Sequence, residues 1–220
     1  MRIEELTNFK SGFVSIIGPP NAGKSTLINL ILKTHLSIIS SRPQTTRNNV
    51  AGIYTDVKKG VQIIFLDTPG ILKKNKSLLD DNLMESVIKS LGNSDIILFM
   101  LPTNESLLNY QGFLEKVKDK KVLILLNKID INDRDLSEEE KQLNYDYLKI
   151  SALKDKNTNM LIERIIPLLT DHHQYYPEDY LSDRNERFFV KEYVRETILD
   201  LIKDEIPHQI FVDVVLILRI

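Results

Sequence analysis

The chain has 220 residues, 42% hydrophobic and 27% charged, with a formal net charge of −2, values that exclude collagen-like, mucin-like and strongly disordered classes. It contains no cysteine, which excludes disulfides, thiolate metal sites and cysteine nucleophiles. Residues 171–220 hold 6 basic against 11 acidic side chains, and such an acidic tail is a poor electrostatic footprint for a phosphate backbone. The opening Met1-Arg-Ile-Glu-Glu5 lacks an apolar signal core, and no apolar run approaches a membrane span, so neither a signal peptide nor a transmembrane helix is expected.

In chain order, the first predicted strand is residues 12–18 (GFVSIIG), nearly continuous in apolar character as a strand buried on both faces should be. It runs into Gly18-Pro19-Pro20-Asn21-Ala22-Gly23-Lys24-Ser25, a P-loop pattern, and then into a helical pattern at about 24–34. That context suits the pattern's mechanism. Glycines let consecutive backbone N–H groups face a phosphate chain, and the helix N-terminus adds its positive dipole end. Pro20, Asn21, Ala22, Gly23, Lys24, Ser25 and Thr26 are therefore candidate nucleotide-binding residues. Lys24 would reach the β- and γ-phosphates, and the Ser25 hydroxyl would ligate Mg²⁺. A chance glycine-rich turn is the bland alternative.

Residues 50–56 and 61–67 flank Lys58-Lys59-Gly60, which predicts a hairpin. The second strand closes with Asp67-Thr68-Pro69-Gly70. A carboxylate there lies beside the P-loop and can hold Mg²⁺ through water, while the Gly70 N–H can meet a γ-phosphate and sense it. D-x-x-G alone is a common turn; in order after a P-loop it gains meaning. A helical pattern follows at about 80–91, a strand at 96–101 and a helical pattern at 105–118.

The strand at 121–127 ends in Asn127-Lys128-Ile129-Asp130. Guanine presents N1–H and its 2-amino group side by side. A carboxylate accepts both, and adenine cannot supply the pair, so Asp130 is the expected purine selector. Asn127 would brace the base edge and the P-loop, and the Lys128 stem would cover the ring face. After a helical pattern at 137–145, a weaker strand at 147–151 leads into Ser151-Ala152-Leu153, whose backbone N–H groups are candidates for the guanine O6. A helical pattern at 158–169 closes the alternation. The class is α/β: a three-layer domain with a mostly parallel sheet and one antiparallel edge pair.

Residues 171–177 read as a linker. Asp183-Arg-Asn-Glu186 has capping-box spacing. Phe188, Phe189, Tyr193, Val194, Ile198, Leu201 and Ile202 share one helical face, and residues 210–220 read as a strand. One helix and one strand enclose no core, so this tail is expected to dock on the first domain or on another chain.

The series of P-loop, Asp67-Thr-Pro-Gly70 and Asn127-Lys-Ile-Asp130 resembles the P-loop GTPases, and with Gln44-Thr-Thr-Arg47 it resembles more narrowly the Era family of bacterial ribosome-assembly GTPases. The likeness covers roughly residues 10–213 and includes Tyr176-Pro-Glu-Asp-Tyr-Leu-Ser-Asp-Arg-Asn-Glu-Arg-Phe188, the passage that in this family enters a C-terminal KH domain. The resemblance implies an enzyme that binds and hydrolyses GTP as a switch in small-subunit assembly, with Mg²⁺ as cofactor. It implies 16S rRNA and the 30S subunit as partners and no DNA. It implies a cytoplasmic location, with peripheral contact at the inner face of the cell membrane as an addition. It makes Thr46, with Thr45 as the alternative, the threonine that closes on Mg²⁺ and the γ-phosphate, and so makes Lys24, Thr46 and Gly70 the candidate catalytic residues. Asn21 resembles an asparagine that holds K⁺ in relatives of this type, implying potassium-stimulated hydrolysis; a turn residue with an internal hydrogen bond is the even alternative.

The domains expected on this likeness are 1–172 (GTPase), 173–182 (linker) and 183–220 (the N-terminal part of a KH-like domain). All eight glycines lie at or before Gly112. The G-x-x-G loop with which KH domains clamp RNA is therefore absent from these residues, and Val214–Ile220 departs from the likeness. The expectation is a truncated KH segment, with a guanine-nucleotide switch that does not grip RNA as the alternative function. Many GTPases place a water-orienting glutamine after D-x-x-G; Ile71 stands there and implies slow intrinsic hydrolysis. His35, His172, His173 and His208 show no metal spacing.

Overall fold

The computed structural model describes residues 9–34, 51–68, 87–201 and 212–214. Expectations for Gln44–Arg47, for Gly70 and Ile71, and for most of 202–220 lie outside the described residues.

Among the described residues six strands form one sheet: β1 (Lys10–Ile17), β2 (Ala51–Asp56), β3 (Val61–Asp67), β4 (Ile96–Pro102), β5 (Lys121–Asn127) and β6 (Asp146–Ile150), in the order β2-β3-β1-β4-β5-β6. β2 pairs antiparallel with β3, and every other pair is parallel. The expected hairpin, the edge pair and the parallel core are all present.

Both faces of the sheet are covered, which is why its strands read as continuous apolar runs. Along β4, Ile96, Leu98 and Met100 join one buried cluster with Leu27 and Ile28 of α1 (Lys24–Leu32) and Leu161 and Ile165 of α4 (Thr158–Ile165). Ile97, Phe99 and Leu101 point the other way. They pack with Phe113 and Leu114 of α2 (Gln111–Lys116) and with Leu136, just before α3 (Glu138–Lys141). Fully burying a side chain such as Phe65 or Phe99 stabilises by about 1.5–3 kcal/mol.

Several helical expectations are shortened. The pattern at 105–118 is a 3₁₀ turn, Leu107–Tyr110, followed by the short α2. The pattern at 137–145 is one turn, because Asn144 turns left-handed (φ 56°) and ends it. Helix α4 gives way to a 3₁₀ turn at Ile166–Leu168, where Pro167 supplies no N–H. The cap of α5 (Glu186–Leu201) also lies elsewhere: Asn185 Oδ1 accepts the Phe188 N–H at 3.1 Å, while Asp183 Oδ1 accepts the Ala51 N–H at 3.1 Å. On α5, Phe189 packs toward the core, whereas Tyr193, Val194 and Leu201 are exposed. Residues 212–214 carry no regular structure.

The segment after the sheet is stitched to it. Ser11 pairs with Asp171 and Gly52 with Ser182 as antiparallel bridges. The buried Gln62 amide accepts from the Tyr175 and Tyr176 N–H groups at 2.8 and 3.0 Å and donates to the Tyr176 carbonyl and Thr55 Oγ1 at 2.9 and 3.0 Å. Tyr175 also sets its ring edge-on to Phe13, centroids 4.8 Å apart. Residues 171–183 thus dock on the sheet, and of the following helix Phe189 packs against the core.

Candidate active site

Parallel strands share one direction, so their C-terminal ends line one edge. The register puts Ile16 beside Asp67, Pro102 beside Asn127, and Asn127 beside Ile150. Chain order reverses at β1, whose neighbours are β3 and β4; the crevice at such a switch point is where open α/β sheets bind ligands.

The loop after β1 makes the closest approaches at this edge. A Cβ added at Gly18 would lie 2.2 Å from the Met100 carbonyl oxygen, and one at Gly23 would lie 2.4 Å from Asn127 Nδ2, with Gly23 at φ 100°. No side chain larger than hydrogen fits either place. Gly23 caps α1 without a side-chain hydrogen bond, so the first N–H groups of the helix face the loop rather than a capping oxygen. Asn21 adopts φ 60° at the loop's tip. Lys24 is buried and draws its Nζ to the Gly18 and Pro19 carbonyls at 3.1 and 2.9 Å. Among the described residues two of its three donors are so used, which leaves the third for an anion. Burial lowers its pKa to about 8, against the raising influence of Asp67.

Ser25 Oγ donates to Asp67 Oδ2 at 3.1 Å. A hydroxyl beside a carboxylate is a pair of hard oxygen donors, the chemistry Mg²⁺ prefers, so these residues fit the ion expected of the motif. Thr68, next in the chain, donates its hydroxyl to the Ile16 carbonyl at 2.7 Å and fastens the end of β3 to β1.

Asn127 ties the loops together. Its Nδ2 donates to the Ala22 carbonyl at 2.6 Å, and its Oδ1 accepts the Ala152 N–H at 3.0 Å. Asp130 is exposed, and its Oδ1 accepts the Ser151 hydroxyl at 2.6 Å. That bond, outweighing a burial effect and joined by the charges of Lys154 and Lys128, holds the carboxyl below the usual carboxylate range. Lys128 stands at φ 74° at the start of the turn, where its carbonyl accepts the Ile131 N–H at 3.0 Å. The three amides expected at the guanine O6 are not equivalent: the Ser151 N–H goes to the Lys156 carbonyl and the Ala152 N–H to Asn127, while the Leu153 side chain is exposed.

Residues 18–26, Asp67, Asn127, Lys128, Asp130 and 151–153 thus share one edge of the sheet; Thr46 and Gly70 lie outside the described residues. Sequence reasoning missed the Ser151 hydroxyl as the partner of Asp130, and missed Thr103. The latter donates its N–H to the Asn127 carbonyl at 3.0 Å and its hydroxyl to the Lys128 carbonyl at 3.4 Å. It stands directly after β4, whose last residue, Pro102, is level with Asn127, and no local pattern in the sequence marks it.

Comparison with known proteins agrees with this arrangement. Residues 13–128 match the 50S ribosome-binding GTPase family. GTPase Era of Clostridium botulinum (strain Langeland / NCTC 10281 / Type F) is 42% identical over 215 residues, covering 94% of this chain and 72% of that protein. A crystal structure of Era in complex with MgGDPNP and nucleotides 1506–1542 of 16S ribosomal RNA superposes with a TM-score of 0.79 at 36% identity, covering 91% of this chain and 70% of that one. An Aquifex aeolicus Era variant bound to GDP and AlF4⁻ gives 0.76 at 35% identity, covering 90% and 70%.

Proposed function

The chain belongs to the Era family of P-loop GTPases, and from that premise we propose how its residues bind and cleave GTP and what the cleavage serves. As a GTPase it converts GTP to GDP and phosphate, with Mg²⁺ as its cofactor. We assign the phosphate chain to the cradle of residues 18–26. Its backbone N–H groups and the remaining Lys24 donor meet the β- and γ-phosphate oxygens and offset the charge that develops there as water attacks the γ-phosphorus and the bond to the β-phosphate oxygen breaks. Ser25 and Asp67 hold the Mg²⁺, which when bound neutralises charge on those oxygens. Thr46, or in its place Thr45, and the Gly70 N–H complete the γ-phosphate contacts. Asn21 is our candidate for a monovalent cation at the P-loop. Ile71 cannot orient water, so intrinsic turnover is slow.

The base falls to Asp130 and Lys128. The observation that carries this reading is the Asn127 amide, which holds the phosphate loop and the Ala152 loop at a fixed separation. The test is an Asp130→Asn titration: its amide matches xanthine better than guanine, so affinity moves from GDP to XDP. Unchanged preference for GDP over XDP refutes the assignment, and so does a Lys24→Ala variant with undiminished GTP affinity.

The biological role we propose is small-subunit assembly through the 3′ region of 16S rRNA, which the solved relative holds. The broader family description names the large subunit; the narrower likeness to a relative holding 16S rRNA supports the small one. We divide the chain into a GTPase domain (1–172), a connector (173–182) and the beginning of a KH-like unit (183–220). The second reading, a nucleotide switch without RNA grip, is favoured by the charge of residues 171–220, where 6 basic against 11 acidic side chains make a poor footprint for a phosphate backbone. Filter binding of this chain to the 16S rRNA 3′ segment separates the two: tight binding supports the first, and none supports the second. No helix among the described residues is long and apolar enough to cross a membrane; ribosome assembly would place the protein in the cytoplasm.

A further inference from the structure

An exposed carboxylate reads a base only if its loop is held still, because both of its hydrogen bonds must stay near 2.9 Å at once. The loop that carries Asp130 is gripped at three consecutive side chains that belong to none of the GTPase motifs. Asp133 meets Lys149 Nζ at 2.6 Å, and Asp135 Oδ1 accepts the Tyr147 hydroxyl at 2.6 Å; both partners stand on β6. Between them Arg134 turns the opposite way. Its Nε donates to the Thr103 carbonyl at 2.8 Å, one Nη donates to Glu140 Oε2 at 2.8 Å, and the other reaches the Glu105 carbonyl. Thr103 passes this grip on, since its N–H and hydroxyl hold the carbonyls of Asn127 and Lys128. The anchor is firm: the Glu140 side chain is only 2% exposed and also accepts the N–H groups of Leu107 and Ser137, each at 2.7 Å. Leu136, buried in the core, fixes the far end of the loop.

We propose that Arg134, clasped through Thr103 on one side and balanced by the Lys149 and Tyr147 contacts on the other, is a positioning residue that sets how sharply Asp130 discriminates guanine. The inference rests on the reading of Asp130 as the base selector. Inosine diphosphate is the probe, because it keeps N1–H and lacks the 2-amino group. The ratio of GDP to IDP affinity therefore reports the second hydrogen bond and not the phosphate contacts. Arg134→Lys keeps a cation beside Glu140 but loses the planar fork that spans Thr103 and Glu105. Tyr147→Phe combined with Lys149→Met loosens the loop from its exposed side without disturbing a buried charge. Both are measured with melting temperature alongside, so that lost fold and lost discrimination are read separately.

The expected result is a fall of about fivefold or more in the GDP-over-IDP ratio in each variant, arising from weaker GDP binding while IDP affinity stays within about twofold. A ratio within about twofold of the parent in a variant that remains folded overturns the inference, whatever its melting temperature. A parent protein that binds GDP and IDP equally removes the Asp130 reading itself, and this inference with it. A parent that discriminates beside variants that discriminate equally well removes only the role of Arg134.

Discussion

Replacing Asn127 with alanine isolates the brace between the two nucleotide loops. Its side chain satisfies one acceptor, the Ala22 carbonyl at 2.6 Å, and one donor, the Ala152 N–H at 3.0 Å. Both of those residues are buried, at 0% and 3% exposure, so water cannot readily replace the lost partner. Each buried backbone group left unpaired costs about 1–3 kcal/mol, which puts Asn127→Ala at about 2–6 kcal/mol of a total stability of about 5–15. With a urea slope of about 2 kcal/mol/M, the midpoint of unfolding moves down by about 1–3 M. Circular dichroism of the nucleotide-free protein is the assay, because no lost base contact can then contribute. Asn127→Asp sharpens the test: it preserves the acceptor for Ala152 but aims an oxygen at the Ala22 oxygen, so it too unfolds at lower urea. A midpoint within about 0.3 M of the parent in the alanine variant would mean that the bridge carries no load.

Other outcomes follow from the same geometry. Burial alone would raise the Glu140 carboxyl, but Arg134 and the Ser137 and Leu107 N–H groups outweigh it and hold it at about 2, down from 4.5. A depressed carboxylate contributes stability in full above its unfolded value and loses it as pH falls. The protein should therefore lose about 3 kcal/mol between pH 4.5 and 2 from this group, and a Glu140→Gln variant, weaker at pH 7, should lose less over that interval in acid denaturation followed by fluorescence or circular dichroism. Gly18→Ala drives a Cβ into the Met100 carbonyl; it should abolish measurable GDP binding by calorimetry. Gly112→Ala is its opposite, because nothing lies within 4 Å of the added Cβ on α2, and thermal melts should show a gain of about 0.5–1 kcal/mol.

The sheet was legible in the sequence because its interior strands are apolar on both faces. Ile96 to Leu101 needs no spacing argument when odd and even positions are equally buried. The P-loop was legible because close backbone approach leaves a glycine signature, and Gly18 and Gly23 each stand where a Cβ has no room. Helix lengths were less legible. The run at 137–145 has helical spacing, but the Ser137–Glu140 capping box opens a single turn that Asn144 then closes. The cap of α5 moved from Asp183 to Asn185 because Asp183 meets Ala51, a tertiary contact with no local trace. For the same reason the Ser151 hydroxyl, Thr103 and Arg134 could not be read: each acts across the fold, with a partner 21 to 31 positions away in the chain.

The saturated Gln62 amide bears on how this protein can be cut. Truncation at residue 170, the natural end of an alternating α/β pattern, would strip three of its four partners, supplied by Tyr175 and Tyr176, and open a seam along β1 and β3. It would also bare the Ala51–Ile53 edge, which Leu181, Ser182 and Asp183 now cover. The smallest autonomous piece therefore extends to Asp183, and a protease should find the span from 171 to 183 harder to nick than its extended, irregular trace suggests.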